Sequence, residues 1–196
     1  LAGDPVIREQ FCGLALELST TTFFQINTPQ AEAIVACIVS WLSQAKQQGP
    51  IVDAYCGIGT ISLPLAAQGH RVVGLEINPD SIEQAGRNAD ANGLGSLTQF
   101  KAGDVADLLK DTLPGCSALV VDPPRRGLDS SVIEVILSDP PPLLAYLSCD
   151  MATQARDLKR LLQPGGPYQL DQLQPVDFFP QTTHLENLAL LRQISS

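Results

Sequence analysis

The sequence lacks a long apolar run and any pair of cysteines at C-x-x-C spacing. Glycine, proline or charge interrupts its apolar stretches well before the roughly 18 residues that a membrane span requires, and no basic segment followed by an apolar one opens the chain. We therefore expect a soluble, cytoplasmic protein that does not contact membranes. Five cysteines cannot all pair within one chain, so we expect reduced thiols and no bound metal.

Basic residues are also scarce, with 12 Lys and Arg against 21 Asp and Glu and a formal net charge of −9. This charge counts against a nucleic-acid substrate, because phosphate binding normally requires a basic surface. One local exception is a group of basic residues in the second half of the chain: Arg125, Arg126, Arg156, Lys159 and Arg160.

The length of 196 residues and a hydrophobic content of 44% are sufficient for one sizeable core. We predict a β-rich lead-in over residues 1–27, followed by a single domain over residues 28–196. The chain begins with Leu1, and its only methionine is Met151. We therefore expect it to be part of a longer protein.

Strand and helix patterns alternate along most of the chain. Leu14, Leu16 and Leu18 have the period of a half-buried strand, and Thr28-Pro29 predicts the capped start of a helix. From Ile51 onward we predict strands over 51–55, 71–76, 97–101, 117–121 and 143–148, with helices between them over 61–67, 80–91, 105–110 and 130–137. A helix over 153–162 and two strands near 168–173 and 188–193 complete the pattern. This alternation predicts an α/β fold with a doubly wound, mostly parallel sheet.

A glycine-containing loop, Asp53-Ala54-Tyr55-Cys56-Gly57-Ile58-Gly59-Thr60, connects the first of these strands to a helix, and Glu76 ends the next strand. Glycines allow the backbone to approach a ligand, and an acid at this position can accept hydrogen bonds from ribose hydroxyls. The third glycine that a dinucleotide favours is absent near Ser62, so the loop favours S-adenosylmethionine. The alternative is a tight turn with no ligand.

Polar residues follow five successive predicted strands, where ligands bind in open α/β sheets. They are Asp53 with Tyr55, Glu76, Asp104, Asp122 and Cys149. Each also has a purely structural interpretation. Asp104 can cap a helix, Glu76 can be a surface acid, Tyr55 a core aromatic, and Asp122-Pro123-Pro124 a rigid turn.

Cys149 follows a predicted strand and precedes a helix, where backbone N–H groups and the nearby Arg156 are expected to lower the pKa of its thiol. We predict a nucleophile there, although most free cysteines are small buried hydrophobic residues. The other four cysteines lack this setting and are interpreted as structural. His184-Leu185-Glu186 lies in the loop before the last predicted strand, where Glu186 is a candidate general base.

In combination, these segments resemble the catalytic domain of bacterial S-adenosylmethionine-dependent RNA (uracil-5-)-methyltransferases, over nearly all of the chain. The matching segments are Phe23-Phe24-Gln25-Ile26-Asn27, 53–60, Glu76, Asp122-Pro123-Pro124-Arg125-Arg126-Gly127-Leu128, Ser148-Cys149-Asp150, 152–158 and 184–186. The resemblance implies a Rossmann-like fold with an antiparallel C-terminal strand. It also implies methylation of a uridine in RNA, with 23S ribosomal RNA favoured and tRNA as the alternative.

The resemblance further implies residue roles. Gln25, Tyr55, Thr60, Glu76, Asp104 and Asp122 would line the pocket for cofactor and base, Cys149 would be the nucleophile, and Glu186 would remove the C5 proton. This chemistry requires these residue types, because uracil C5 becomes nucleophilic only after a thiolate adds at C6. Arg125 and Arg126 are candidate phosphate partners. The family's RNA-binding domain would precede Leu1.

Two other functions stay open. Asp-Pro-Pro also occurs in enzymes that methylate exocyclic amines of bases, although an aromatic residue normally follows the prolines there, whereas Arg125 follows them here. Met151 stands where the family usually has proline, and the chain is acidic. A non-catalytic module that binds S-adenosylmethionine or RNA is therefore the third interpretation.

Overall fold

A computed structural model of the chain describes residues 6–19, 27–44, 48–178 and 185–194. An antiparallel hairpin of β1 (Val6–Phe11) and β2 (Leu14–Ser19) comes first. The elements that follow are α1 (Thr28–Leu42), β3 (Ile51–Ala54), α2 (Ser62–Ala67), β4 (Val72–Glu76), α3 (Pro79–Ala91), β5 (Thr98–Ala102), α4 (Val105–Thr112), β6 (Ala118–Val121), α5 (Ser130–Ser138), β7 (Leu143–Ser148), α6 (Met151–Leu161), β8 (Tyr168–Val176) and β9 (Glu186–Gln193).

Strands β3 to β9 form one seven-stranded sheet in the order β5-β4-β3-β6-β7-β9-β8. Strands β3 to β7 pair in parallel, and β9 runs antiparallel to both of its neighbours, β7 and β8. The predicted α/β fold, with its mostly parallel sheet and antiparallel C-terminal strand, is confirmed.

The central strands are mostly apolar and are buried on both faces, as parallel strands usually are. Every residue of β3, β6 and β7 is buried. Alternate residues contribute to two cores: α1 and α2 pack on one face of the sheet, and α4, α5 and α6 pack on the other. Among the described residues, no helix combines the length and apolar character needed to cross a membrane.

The lead-in contains one more strand than the sequence indicated, because β1 was not predicted. The hairpin is joined to α3 by two asparagines. Asn88 Oδ1 accepts a hydrogen bond from the Glu17 N–H at 2.8 Å, and Asn92 Oδ1 accepts one from the Ala15 N–H at 3.0 Å. These amide side chains satisfy the backbone of β2 as a neighbouring strand would. Phe23 and Phe24 lie outside the described residues.

The predicted start of α1 was wrong by one residue. Asn27 occupies the N-cap position, and Thr28 is the first helical residue. Among the described residues, no side-chain hydrogen bond caps this helix. Pro29 lies in its first turn, where its missing N–H costs nothing.

Gly74, in β4, gives a test of the packing at the centre of the sheet. A Cβ atom there would lie 2.5 Å from Phe100 Cδ1 and 2.8 Å from Cys56 Sγ. We expect Gly74→Ala to lower the free energy of unfolding by about 1–3 kcal/mol, because the core would be overpacked. Denaturant titration measures this change.

Gly86→Ala is the matched control for this substitution. Gly86 is inside α3, and a Cβ there would meet no atom within 4 Å. Alanine should therefore stabilise the protein by about 0.5–1 kcal/mol through helix propensity. Equal effects of the two substitutions would contradict the packing at Gly74.

Candidate functional site

A cavity of about 720 Å³ opens at the edge of the sheet where the parallel strands end. It lies beside the point where the strand order reverses between β3 and β6, which is where open α/β sheets bind ligands. Seven of the eight predicted site residues line it: Tyr55, Thr60, Glu76, Asp104, Asp122, Cys149 and Glu186. The eighth, Gln25, lies outside the described residues, as does His184.

The glycine loop turns sharply between β3 and α2. Its backbone enters the left-handed region three times, with φ of +66° at Tyr55, +53° at Gly57 and +92° at Gly59. Glycine adopts this conformation at no steric cost, whereas Tyr55 is strained there, as residues at functional sites often are. A Cβ at Gly57 would meet no atom of the described residues within 4 Å, so the backbone of this turn is not covered by any of them.

Glu76 ties this turn to the end of β4. One of its carboxylate oxygens accepts a hydrogen bond from the Gly57 N–H at 3.3 Å, and the other accepts one from the Asn78 N–H at 3.0 Å. A carboxylate oxygen accepts more than one hydrogen bond, so both oxygens keep acceptor capacity for a ligand in the cavity.

Asp53 is buried on β3 and does not line the cavity. The Ser62 hydroxyl donates to its Oδ2 at 2.6 Å, while Oδ1 is buried with no hydrogen-bond partner among the described residues. Burial raises the pKa of Asp53 to about 7, the charge of Glu76 adds to the increase, and the bonds to Ser62 oppose it.

Asp104 has the structural role that was its alternative interpretation. Its Oδ1 accepts hydrogen bonds from the N–H groups of Ala106 at 2.9 Å and Asp107 at 3.2 Å, and so caps α4. It also lines the cavity. Tyr55 is half-buried; burial, followed by the charge of Asp129, raises its pKa to about 12.

Cys149 and Glu186 lie next to each other at the edge of the sheet where the parallel strands end. Ser148, the last residue of β7, pairs with Asn187 of β9, so the next residues at this edge are Cys149 on one strand and Glu186 on the other. Neighbouring strands lie about 4.8 Å apart. The prediction that Glu186 lies in a loop was wrong, because it is the first residue of β9 and is 4% exposed.

The charges around Cys149 do not favour its thiolate. Burial raises the pKa of the thiol, and the carboxylates of Glu186 and Asp122 raise it further, whereas Arg125 lowers it. Burial likewise raises the pKa of Glu186, against the effect of Arg125. The pKa of Asp122 lies well above its usual range because of burial and then the charges of Glu186 and Asp53.

The predicted effect of Arg156 on the Cys149 thiol was wrong. The Arg156 Nε donates to Asp157 Oδ1 at 2.8 Å, and its Nη2 donates to the Arg126 carbonyl oxygen at 2.9 Å. Arg125 is instead the cation that acts on the thiol. Three of the five basic residues form ion pairs: Arg126 with Asp129, Arg156 with Asp157 and Arg160 with Glu134.

The sequence interpretation assigned no role to Asp157, which holds the loop that carries Arg125. It is 1% exposed, and its Oδ2 accepts hydrogen bonds from the Leu128 N–H at 2.8 Å and the Tyr146 hydroxyl at 2.9 Å. The Thr153 hydroxyl donates to the Arg125 carbonyl oxygen at 3.0 Å. The missed signal was helical spacing, because Asp150, Thr153, Gln154 and Asp157 repeat on one face of α6.

Comparison with known proteins places this chain in a family. The family described as tRNA (uracil-5-)-methyltransferase matches residues 13–194. The chain is 85% identical to an uncharacterized RNA methyltransferase of Parasynechococcus marenigrum, over all of the chain and 42% of that protein. It is 43% identical to a similarly named protein of Thermosynechococcus vestitus, over 97% of the chain and 42% of that protein. The chain thus spans less than half the length of these relatives.

Solved structures agree with the sequence relatives. The Pyrococcus abyssi tRNA (uracil-54, C5)-methyltransferase, in complex with S-adenosyl-L-homocysteine, superimposes with a TM-score of 0.82 at 30% identity, over 97% of this chain and 45% of the other. A putative SAM-dependent methyltransferase of Streptococcus mutans shares the fold, with a TM-score of 0.75 at 12% identity over 98% of this chain and 56% of the other. The chain therefore belongs to the tRNA (uracil-5-)-methyltransferase family.

Proposed function

We propose that this chain transfers a methyl group from S-adenosylmethionine to C5 of a uridine in RNA, through a covalent bond between Cys149 and C6. The observation that carries the proposal is the pairing of β7 with β9, which brings a thiol and a carboxylate together at the cavity. The family description and the P. abyssi relative both name tRNA. Transfer RNA therefore stands beside 23S ribosomal RNA as a substrate to test.

The cavity fits the proposed cofactor. Its volume lies within the usual range of small-molecule sites. The bare backbone at Gly57 allows close approach, and the Glu76 carboxylate has acceptor capacity for hydroxyl groups. The residues proposed to hold the cofactor are Gln25, Tyr55, Thr60, Glu76, Asp104 and Asp122. When bound, S-adenosylmethionine supplies an electrophilic methyl group.

Cys149 and Glu186 would act in sequence on the two carbons of one double bond. The Cys149 thiolate adds to C6 of uracil, and the electron pair of the double bond moves onto C5 and O4 as an enolate. C5 would then form a bond to the methyl group while the bond between that group and the donor's sulfonium sulfur breaks, and the donor would leave as a neutral thioether. Glu186 then removes the C5 proton, the enolate re-forms, and its collapse expels the thiolate from C6. The C5–C6 double bond of uracil re-forms, and the Cys149 thiolate is regenerated.

The target base cannot be reached inside a stacked helix, so it must come from a loop or be flipped out of the stack. Arg125 lines the cavity and is exposed, which suits a contact with a phosphate beside the flipped base. Most of the neighbouring basic residues are paired with acids. We therefore expect this chain to contribute few of the phosphate contacts that RNA binding requires.

Covalent trapping tests the nucleophile. RNA that contains 5-fluorouridine, incubated with S-adenosylmethionine and the protein at its full natural length, should give a stable protein–RNA adduct, because fluorine cannot leave C5 as a proton does. Cys149→Ala should abolish the adduct on a denaturing gel. Cys37→Ala is the matched control, since Cys37 is equally half-exposed but lies on α1, and its adduct should persist. An undiminished adduct in Cys149→Ala would reject the mechanism, and no adduct in the unaltered protein would favour a non-catalytic module.

A second experiment tests the base. Glu186→Gln removes the proton acceptor but keeps the shape of the side chain, so methylated covalent intermediate should accumulate on ordinary RNA. A gel with radiolabelled methyl donor detects it. Glu83→Gln, on the exposed side of α3, provides the control and should not accumulate it. Normal turnover of Glu186→Gln would remove Glu186 from the mechanism.

The raised pKa of Cys149 predicts the pH dependence of trapping. Only a small fraction of the thiol is ionised near neutral pH, so the trapping rate should increase by up to about tenfold per pH unit until pH reaches the pKa. Arg125→Met removes the charge that lowers this pKa and should move the increase to higher pH. Lys110→Met, on the surface of α4, should leave the profile in place. A profile unchanged by Arg125→Met would show that this charge does not act on the sulfur.

A further inference from the structure

Two buried amide side chains connect α6 to the start of β9, close in sequence to Cys149 and Glu186. Gln154 is 1% exposed and Asn187 is 6% exposed. The Gln154 Nε2 donates to the carbonyl oxygens of Tyr146 and Asn187, each at 3.0 Å, and Asn187 Nδ2 donates to Gln154 Oε1. One glutamine therefore joins β7, α6 and β9. We call these two residues the amide pair.

The amide pair is adjacent to both proposed reactive groups. Asn187 directly follows Glu186 at the start of β9. The Gln154 backbone N–H donates to the Asp150 carbonyl oxygen at 3.1 Å, in the first turn of the helix that follows Cys149. Any shift between α6 and the start of β9 would therefore change the position of the Glu186 carboxylate relative to the Cys149 sulfur.

At the start of β9, the neighbouring strand lacks one backbone hydrogen-bond donor, and carboxyl groups lie close enough to affect each other's charge. On the other side of β9, Asn187 is opposite Pro175 of β8, which has no backbone N–H to donate. The carboxylates of Glu186 and Asp122 repel each other, and both disfavour a negative charge on Cys149. Buried hydrogen bonds oppose this separation because breaking them leaves unsatisfied polar groups.

We propose that the amide pair of Gln154 and Asn187 is a positioning element that holds Glu186 at the distance from Cys149 needed for proton removal. The proposal rests on the function proposed above. Addition of the thiol at C6 depends on Cys149 and its own strand, whereas removal of the C5 proton depends on Glu186. Loss of the amide pair should therefore slow the release of product much more than the formation of the adduct.

Gln154→Leu tests this in the protein at its full natural length, because leucine has similar volume and makes none of the side-chain hydrogen bonds. Two single-turnover rates are measured: adduct formation with 5-fluorouridine RNA, and release of methylated product from ordinary RNA. We expect the rate of product release to fall about tenfold or more, because a small displacement of reacting groups lowers a reaction rate by such a factor. Methylated covalent intermediate should accumulate, while the trapping rate changes less than about threefold.

Tyr168→Phe is the matched control. It removes one buried hydrogen bond, from the Tyr168 hydroxyl to the Pro141 carbonyl oxygen, at the opposite edge of the sheet. Neither rate should change. Asn187→Ala, which leaves the Gln154 bonds to the two backbone carbonyls possible, is a milder variant for use if Gln154→Leu does not fold. It should slow release in the same selective way by a smaller factor.

The outcomes separate the two proposals. If Gln154→Leu and Asn187→Ala slow trapping and release equally, or slow neither, the positioning role is overturned while the proposed function stands. If the unaltered protein forms no adduct, or Cys149→Ala forms it normally, the proposed function fails first. Selective accumulation of the methylated intermediate in an amide-pair variant, with trapping intact, supports both.

Discussion

The insertion of antiparallel β9 between β7 and β8 is the constraint on which the candidate site depends. A parallel strand at this place would begin at the opposite edge of the sheet, with its first side chain far from the ends of β3, β4 and β6. Because β9 runs the other way, its first residue lies at the carboxyl edge, and its register with β7 places Glu186 beside Cys149. A thiol and a carboxylate that are distant in sequence thus face one cavity.

Helix α6 is the second organising element, because one of its faces makes contacts that apolar side chains cannot make. Asp157 holds the loop over residues 123–128, Thr153 bonds to the backbone of that loop, and Gln154 holds β9. Burying these polar groups costs free energy unless each is hydrogen-bonded, and their main partners lie on different elements. The network therefore specifies one arrangement of the loop, the helix and the strand around the site.

The acidity that counts against RNA binding has a local use in the proposed function. Asp122 and Glu186 line the cavity, Asp53 is buried on β3, and desolvation raises the pKa of each. A sulfonium cofactor is cationic and would favour the ionised form of the two carboxyl groups that line the cavity, Asp122 and Glu186, whereas a phosphate would disfavour it. The positive charge of Arg125 lowers the pKa of both Cys149 and Glu186, and so opposes the effect of burial on these two groups.

The order of strands and helices from α1 onward, the turn at Gly57 and Gly59, and the polar residues at the strand ends were predictable from sequence. Apolar periodicity and turn chemistry depend on residues close together in the chain, and a doubly wound sheet brings successive strand ends to one edge. The bond from Arg156 to the Arg126 carbonyl oxygen, the strand position of Glu186 and the amide pair depended on the tertiary structure. Each of these features is a contact between segments that are distant in sequence. Such contacts form only when the whole chain has folded, and they cannot be inferred from neighbouring residues in the chain.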